Sequence, residues 1–246
     1  MNTRLEHELT AAYPLGMTWQ KSIATFHPET PQEIADIFGR TGKAGQKCFI
    51  SGFGNNIDPV GEKFAELLVL KSDRLNDIIE VGDKDFFVTV GAGYPLKELN
   101  KVLAEYNLWF PFSDTQYPGS CGGAFAIGLA GGDGTHTVPL NRSLLSVTAV
   151  LPDGSIVTPG AVTFKSVSGY DISRIFFNSW GMLGMLVNLS FRVLPISKRD
   201  EMHPVQLFAP DFNRFLNELN GNTPLGDMCR KIKQEYDPAN TLPIIR

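Results

Sequence analysis

Three separated glycine clusters are the residues of this chain whose types and spacing suit chemistry, since each adjoins a segment patterned as a strand. The first is Ser51-Gly52-Phe53-Gly54-Asn55-Asn56, directly after the apolar run ending at Ile50. Successive main-chain N–H groups in such a turn converge on an anion, and Gly52 and Gly54 let the backbone close around it. The alternative is an ordinary tight turn. The lysine and Ser/Thr of a nucleotide P-loop are absent, as are the third glycine and immediate helix of the dinucleotide fingerprint. The second cluster is SCGGAFAIGLAGG, Ser120 to Gly132. Glycine in quantity is entropically costly, so such a run exists where a ligand or another backbone must approach the main chain closely. The third places Gly181 and Gly184 just before the strand-like MLVNLSF. Singly, each is a packing or turn device; together they could line one long cleft.

Other reactive side chains are scattered. His136 is a candidate proton acceptor, because imidazole titrates near neutrality; the competing reading is a surface loop histidine. Cys121 is either redox-active or a small buried apolar group. Asp171 either meets a substrate or caps a helix, with Arg174 one turn on. Trp109, Phe110 and Phe112 either stack on a ring or pack in the core. No metal site is expected: Cys48, Cys121 and Cys229 are far apart and form no C-x-x-C unit, and His7, His27, His136 and His203 never fall at i, i+4. An iron–sulfur cluster held by this chain alone is not expected, on the same ground.

The elements that must position these residues read as α+β. Thr30, Pro31 and Glu33 form a helix start with a capping box; Ile34, Ile37 and Phe38 make its buried stripe, and Gly42 and Gly45 stop it. Flanked by strand-like KSIATF and KCFIS, this is a βαβ opening. DFFVTVGAG is a strand, and Pro95 opens a helix with Leu96, Leu99, Val102, Leu103 and Tyr106 on one face. LLSVTAVLPDGSIVTPG is a hairpin turning at Pro152-Asp153-Gly154, MLVNLSFRVLP is a strand, and a closing helix runs from about Pro224 to Tyr236. With 246 residues, 43% hydrophobic, the chain can bury a sizeable core. Its net charge of −4 argues against nucleic acid as a partner. The N-terminus MNTRLEHELT is too charged for a signal peptide and no apolar run is long enough to span a bilayer, so a cytoplasmic protein without a transmembrane segment is expected.

The ordered set ISGFGNN, VTVGAGYPLKELNKVLAEYNLWFP, PGSCGGAFAIG and VSGYDISRIFFNSWGMLGMLVNLSFRVLP resembles the FAD-binding domain of the vanillyl-alcohol oxidase / p-cresol methylhydroxylase (PCMH-type) flavoproteins, over roughly Trp19 to Pro195. Within that family the GYDISR passage is most similar to the smaller flavin-type subunit of bacterial glycolate oxidase, and CRKIKQEYDPANTLP resembles the C-terminal signature of FAD-linked oxidases. The resemblance implies a two-lobed domain over residues 1–195, with lobes of about 19–72 and 73–195, clamping FAD in the cleft between them. It implies that Ser51, Gly52, Phe53, Gly54, Asn55 and Asn56 wrap the pyrophosphate. Pro118, Ser120, Cys121, Gly122, Gly123, Ala126 and Gly128 would wall the flavin, and Gly181, Leu183, Gly184 and Val187 would approach the adenosine side.

Asn55 stands where covalent relatives carry the flavin-linking histidine, which implies noncovalent FAD. In place of an arginine-rich stretch the chain reads GGDGTHTV, which puts Asp133 and His136 near the expected ring. About thirty residues separate Pro195 from Gly226, too few for the substrate cap of full-length relatives, so 196–246 is expected to be a short segment replacing it. The implied activity is that of an FAD-linked oxidase or dehydrogenase subunit acting on a small 2-hydroxy acid, with a larger flavin subunit, an iron–sulfur subunit or both as partners, through which it could lie peripheral to a membrane. The alternative is a noncatalytic FAD-binding scaffold or electron-relay subunit.

Overall fold

The computed structural model describes residues 1–20, 22–132, 137–162, 172–202 and 205–244. The first helix, α1 (Thr3–Ala12), is one the sequence patterns do not single out. Asn2 caps it, accepting hydrogen bonds from the N–H groups of Arg4 and Leu5, and Leu5 and Leu9, one helical turn apart, are buried. The hairpin of β1 (Met17–Gln20) and β2 (Ile23–Phe26) leads to α2 (Pro31–Ala44), then β3 (Cys48–Ser51) and β4 (Leu68–Lys71). The sheet order is β1-β2-β4-β3, antiparallel in the hairpin and parallel elsewhere, so α2 is the crossover of the expected βαβ opening.

The α2 start is as the sequence predicts: Thr30 Oγ1 accepts from the N–H of Glu33 at 3.2 Å. The return bond differs, since the Glu33 carboxylate accepts from the N–H of Glu29 at 2.8 Å rather than from Thr30. Gly45 ends the helix in a left-handed conformation (φ 63°), whereas Gly42 lies within it.

The second lobe is an antiparallel sheet. Its strands are β5 (Ile78–Gly82) and β6 (Phe87–Gly91), and later β10, β11 and β12. Between them come α3 (Leu99–Leu103), β7 (Leu108–Trp109), α4 (Cys121–Ala126), β8 (Ala130–Gly132) and β9 (Thr137–Pro139). Then follow β10 (Leu144–Val150), β11 (Ile156–Val157), β12 (Met185–Arg192) and β13 (Leu194–Pro195). The order is β11-β10-β12-β6-β5, and β10 and β11 form the expected hairpin. The helix expected after Pro95 is broken into a 3₁₀ turn, α3 and a second 3₁₀ turn. Leu96, Leu99 and Leu103 are buried, but Tyr106 is 44% exposed. The tighter 3₁₀ winding rotates Tyr106 off the buried face.

Two apolar cores result. One lies under the second sheet and includes Phe110 and Phe112; Phe110 stacks on Phe191 with centroids 5.2 Å apart, and Trp109 Nε1 donates to Asp114. These aromatics are packing residues. The other lies between α1, α2 and the first sheet, yet takes Val150 from β10, Met185 and Val187 from β12 and Leu242 from the tail, so the lobes share apolar contacts.

Beyond Pro195, β14 (Gln206–Leu207) pairs with β8, and α5 (Phe212–Asn220) precedes α6 (Pro224–Tyr236), the closing helix in its expected place. The buried pair Lys233–Asp237 pins the tail. Lys233 Nζ donates to the carbonyls of Met182 and Leu242, each at 2.9 Å, and the Asp237 carboxylate accepts from the N–H groups of Thr241 and Leu242. Among the described residues no helix is long and apolar enough to cross a membrane.

Candidate cofactor site

A cleft of about 760 Å³, counting its open mouth, lies where the C-terminal end of β3 faces α4 and the loop before β12. It brings together Ser51, Gly52, Phe53, Gly54, Asn55 and Asn56 on one wall, Ser120, Gly122, Gly123 and Ala126 on a second, and Gly181 and Gly184 on a third.

The walls differ in what their backbones offer. The main-chain N–H groups from Gly52 to Ile57 have no acceptor among the described residues. A run of unpaired donors in a glycine turn is an anion receptor. On the second wall most are paired: the N–H of Cys121 donates to the Tyr94 carbonyl at 2.8 Å, that of Gly122 to the Ala92 carbonyl at 2.8 Å, and that of Gly123 to Ser120 Oγ at 3.1 Å, while that of Ser120 has no acceptor among the described residues. The loop after β3 therefore carries the longer run of free main-chain donors, and the wall opposite carries fewer.

Most glycines of the SCGGAFAIGLAGG stretch are set against other parts of the chain, the second of the two reasons expected for such a run. A Cβ on Gly122 would sit 2.6 Å from the Ala92 Cβ, and one on Gly128 (φ 72°) 2.8 Å from Asn178. Gly123 is the exception, with only Ser120 Oγ nearby at 3.1 Å. Across the cleft a Cβ on Gly52 would lie 3.1 Å from Ser120 Oγ and, in ordinary contact, 3.8 Å from the Gly123 Cα, so the two loops already meet closely at this point.

The third wall is strained. Asn178 (φ 57°), Trp180 (φ 50°) and Gly181 (φ 76°) are all left-handed, and for an indole residue this is a costly conformation. It is held by the N–H groups of Asn178 and Trp180, which donate to the carbonyls of Phe125 and Ala126 in α4. On its other side Trp180 packs on Phe212 and Phe215 of α5, with centroids 4.8 and 6.1 Å away.

Five of the residues expected here do not line the cleft. Pro118 is exposed beside it. Cys121 and Leu183 point into the core beneath the second sheet, and burial pushes the Cys121 thiol far above its ordinary range, so it packs as an apolar group. Gly128 abuts Asn178, and Val187 faces the first-lobe core while its neighbour Leu186 faces the cleft, as strand alternation demands. Asp133, His136 and Asp171 lie outside the described residues.

Residues the patterns miss include Tyr117, Ser179 and Trp180. Tyr117 is the one lining residue, among those described, with an ionisable side chain. Burial raises its pKa, and the hydrogen bond from Asn56 opposes that shift. A lone aromatic before Pro-Gly carries no sequence signal of such a role; only the adjoining glycine motif marks the neighbourhood.

An oxygen-anion receptor facing an uncharged wall matches the demands of a dinucleotide: donors for a pyrophosphate, and a dry slot for flat rings. The comparisons agree. An FAD binding domain family matches residues 23–160. An uncharacterized FAD-linked oxidoreductase of Mycobacterium tuberculosis is 26% identical over 203 residues, covering 80% of this chain and 42% of that protein. A D-lactate dehydrogenase of Archaeoglobus fulgidus is 26% identical over 200 residues, covering 81% and 44%, and a mitochondrial D-lactate dehydrogenase (cytochrome) of Arabidopsis thaliana is 30% identical over 143 residues, covering 58% and 24%. In fold the chain is similar to alkyldihydroxyacetonephosphate synthase, with a TM-score of 0.65 at 18% identity, over 79% of this chain and 41% of that one. The chain thus spans less than half the length of these relatives. Since the family match takes in more than half of the chain, including the receptor loop and the glycine wall, the chain belongs to the FAD binding domain family, and its cofactor is FAD.

Proposed function

We propose that this chain is the flavin-holding part of an FAD-linked oxidase or dehydrogenase acting on a small 2-hydroxy acid, with FAD noncovalent in the cleft. The observation that carries this reading is the run from Gly52 to Ile57, whose N–H groups have no acceptor among the described residues, in a loop that lines an uncharged cleft. The names of two relatives, both D-lactate dehydrogenases, support the substrate class. Asn55 in the receptor loop offers no imidazole for a covalent link.

When bound, FAD supplies the hydride and electron acceptor. The chain's own residues bind and orient. The N–H groups of the receptor loop neutralise the pyrophosphate, Gly52 and Gly123 permit close approach from both lobes, and Gly181 and Gly184 flank the adenosine half. We assign residues 1–195 to the FAD-binding domain, with lobes of about 19–72 and 73–195. Residues 196–246 are assigned to a short segment in place of a substrate cap. Among the described lining residues there is no carboxylate, imidazole or ammonium group to move a proton. The acceptor for the substrate hydroxyl is therefore assigned to His136 or to a partner chain, a larger flavin subunit or an iron–sulfur subunit, which would also complete the substrate pocket.

The same lack of carboxylate, imidazole and ammonium groups among the described lining residues favours a second reading, a noncatalytic scaffold or electron relay. Anaerobic titration of the FAD-loaded protein with D-lactate and glycolate separates the two. Bleaching of the flavin absorption, by the chain alone or together with the products of adjoining genes, is the expected result. An unbleached spectrum under every combination leaves the relay, and a preparation that stays colourless in excess FAD removes both.

A further inference from the structure

We infer that Tyr117 is a cofactor-binding residue, a phenolic donor that reaches the dinucleotide's phosphate oxygens from the second lobe while Asn56 holds it in place across the cleft. This rests on the FAD reading above. Tyr117 is only 7% exposed and lines the cleft. Its oxygen accepts a hydrogen bond from Asn56 Nδ2 at 2.8 Å, which leaves the phenolic proton without an acceptor among the described residues. Buried tyrosine hydroxyls usually use both their donor and acceptor capacity, so a phenolic proton beside a cleft-lining loop is suited to a ligand oxygen. The tie to Asn56 indicates which oxygen: Asn56 belongs to the loop whose N–H groups from Gly52 to Ile57 have no acceptor among the described residues. The acceptor class that satisfies both sets of donors is a phosphate oxygen.

The chain makes two sacrifices to place this hydroxyl. Gln116, just before it, is left-handed at φ 58°, a strained conformation for a residue with a side chain. Gly119, two residues after it, must lack a side chain, since a Cβ there would sit 2.3 Å from the Tyr117 ring and 2.7 Å from its hydroxyl oxygen. The phenol is thereby folded back over its own backbone toward the cleft. A tie between lobes would need only the Asn56 bond, and would not need the remaining proton to face a ligand.

Tyr117→Phe keeps the ring and deletes the hydroxyl. With one hydrogen bond to a charged oxygen lost, the Kd for FAD and for ADP should each rise roughly 10- to 100-fold, and that for riboflavin should stay unchanged. Equal FAD affinity in the wild type and the variant overturns the inference and leaves FAD binding intact. A loss for FAD without one for ADP also overturns it, by placing the contact on the flavin half. Wild-type protein that binds no FAD overturns the underlying reading instead. Should Tyr117→Phe not fold, as judged by its unfolding transition, the exposed Asn56 decides: Asn56→Ala should weaken FAD and ADP severalfold, and unchanged affinity for both would refute the clasp.

Discussion

Gly122 and Gly123 are neighbours that lack side chains for different reasons. The Cβ direction of Gly122 runs into Ala92, whereas that of Gly123 meets only Ser120 Oγ at 3.1 Å, beside the cleft and Gly52. A methyl at the first position overpacks a junction between α4 and the turn after β6. At the second it narrows the slot. Gly122→Ala is therefore expected to lose about 1–3 kcal/mol of stability in a chemical denaturation experiment. Gly123→Ala should keep its midpoint but retain less FAD through gel filtration. A reversed pattern, with Gly123 as the destabilising site, would show that the wall is assigned to the wrong residue. Of the reactive side chains weighed from the sequence, the described Cys121 packs in the core, and the described part of the site is built largely from backbone donors and missing side chains.

Among the elements, the C-terminal segment bears on the site more than its distance in sequence suggests. The α5 aromatics brace Trp180 from behind, and Lys233 holds the Met182 carbonyl just after the left-handed run. Lys233 is 9% exposed and Asp237 2%, so the pair is desolvated and its geometry must be satisfied throughout. Replacing only the cation leaves a buried carboxylate uncompensated. Lys233→Met is expected to cost about 3–5 kcal/mol in chemical denaturation. It should also loosen FAD, since the Gly181 wall would lose its brace. A variant of wild-type stability would mean that water reaches Asp237 and that the tail is not pinned as described. The anchoring bonds also extend to the first lobe, where the N–H of Cys48 donates to the Thr241 carbonyl at 2.7 Å.

At the scale of the whole molecule, the two sheets are joined by the core that Val150, Met185 and Val187 share with α1, α2 and the first sheet. The cleft is thus a seam in one packed body, with a receptor from one lobe and a wall from the other. FAD bound across that seam, as proposed, would stabilise both lobes by mass action, by about 2.7 kcal/mol when free FAD is one hundred times its Kd. A calorimetric scan should show one transition that moves upward as a unit on adding FAD. Two transitions, with only one responding to FAD, would contradict a shared core and a shared site.

By itself the sequence determined the elements whose signals are local. Thr30, Pro31 and Gly45 bound α2, Pro224 and Tyr236 bound α6, and alternation in MLVNLSFR marks β12, because caps, prolines and a period of two act over a few residues. The order of its glycine motifs also pointed to the FAD family. Only the tertiary structure decided which glycine faces a ligand and which faces Ala92, that Val187 turns away while Leu186 turns in, and that Tyr117 meets Asn56 across 61 residues of sequence. It also decided the fate of α1, whose two buried leucines form a helix face only once there is a sheet-and-helix surface to cover. The physical reason is common to all of these: a missing side chain or an unpaired donor acquires its meaning from the atoms opposite it, and those come from distant parts of the chain.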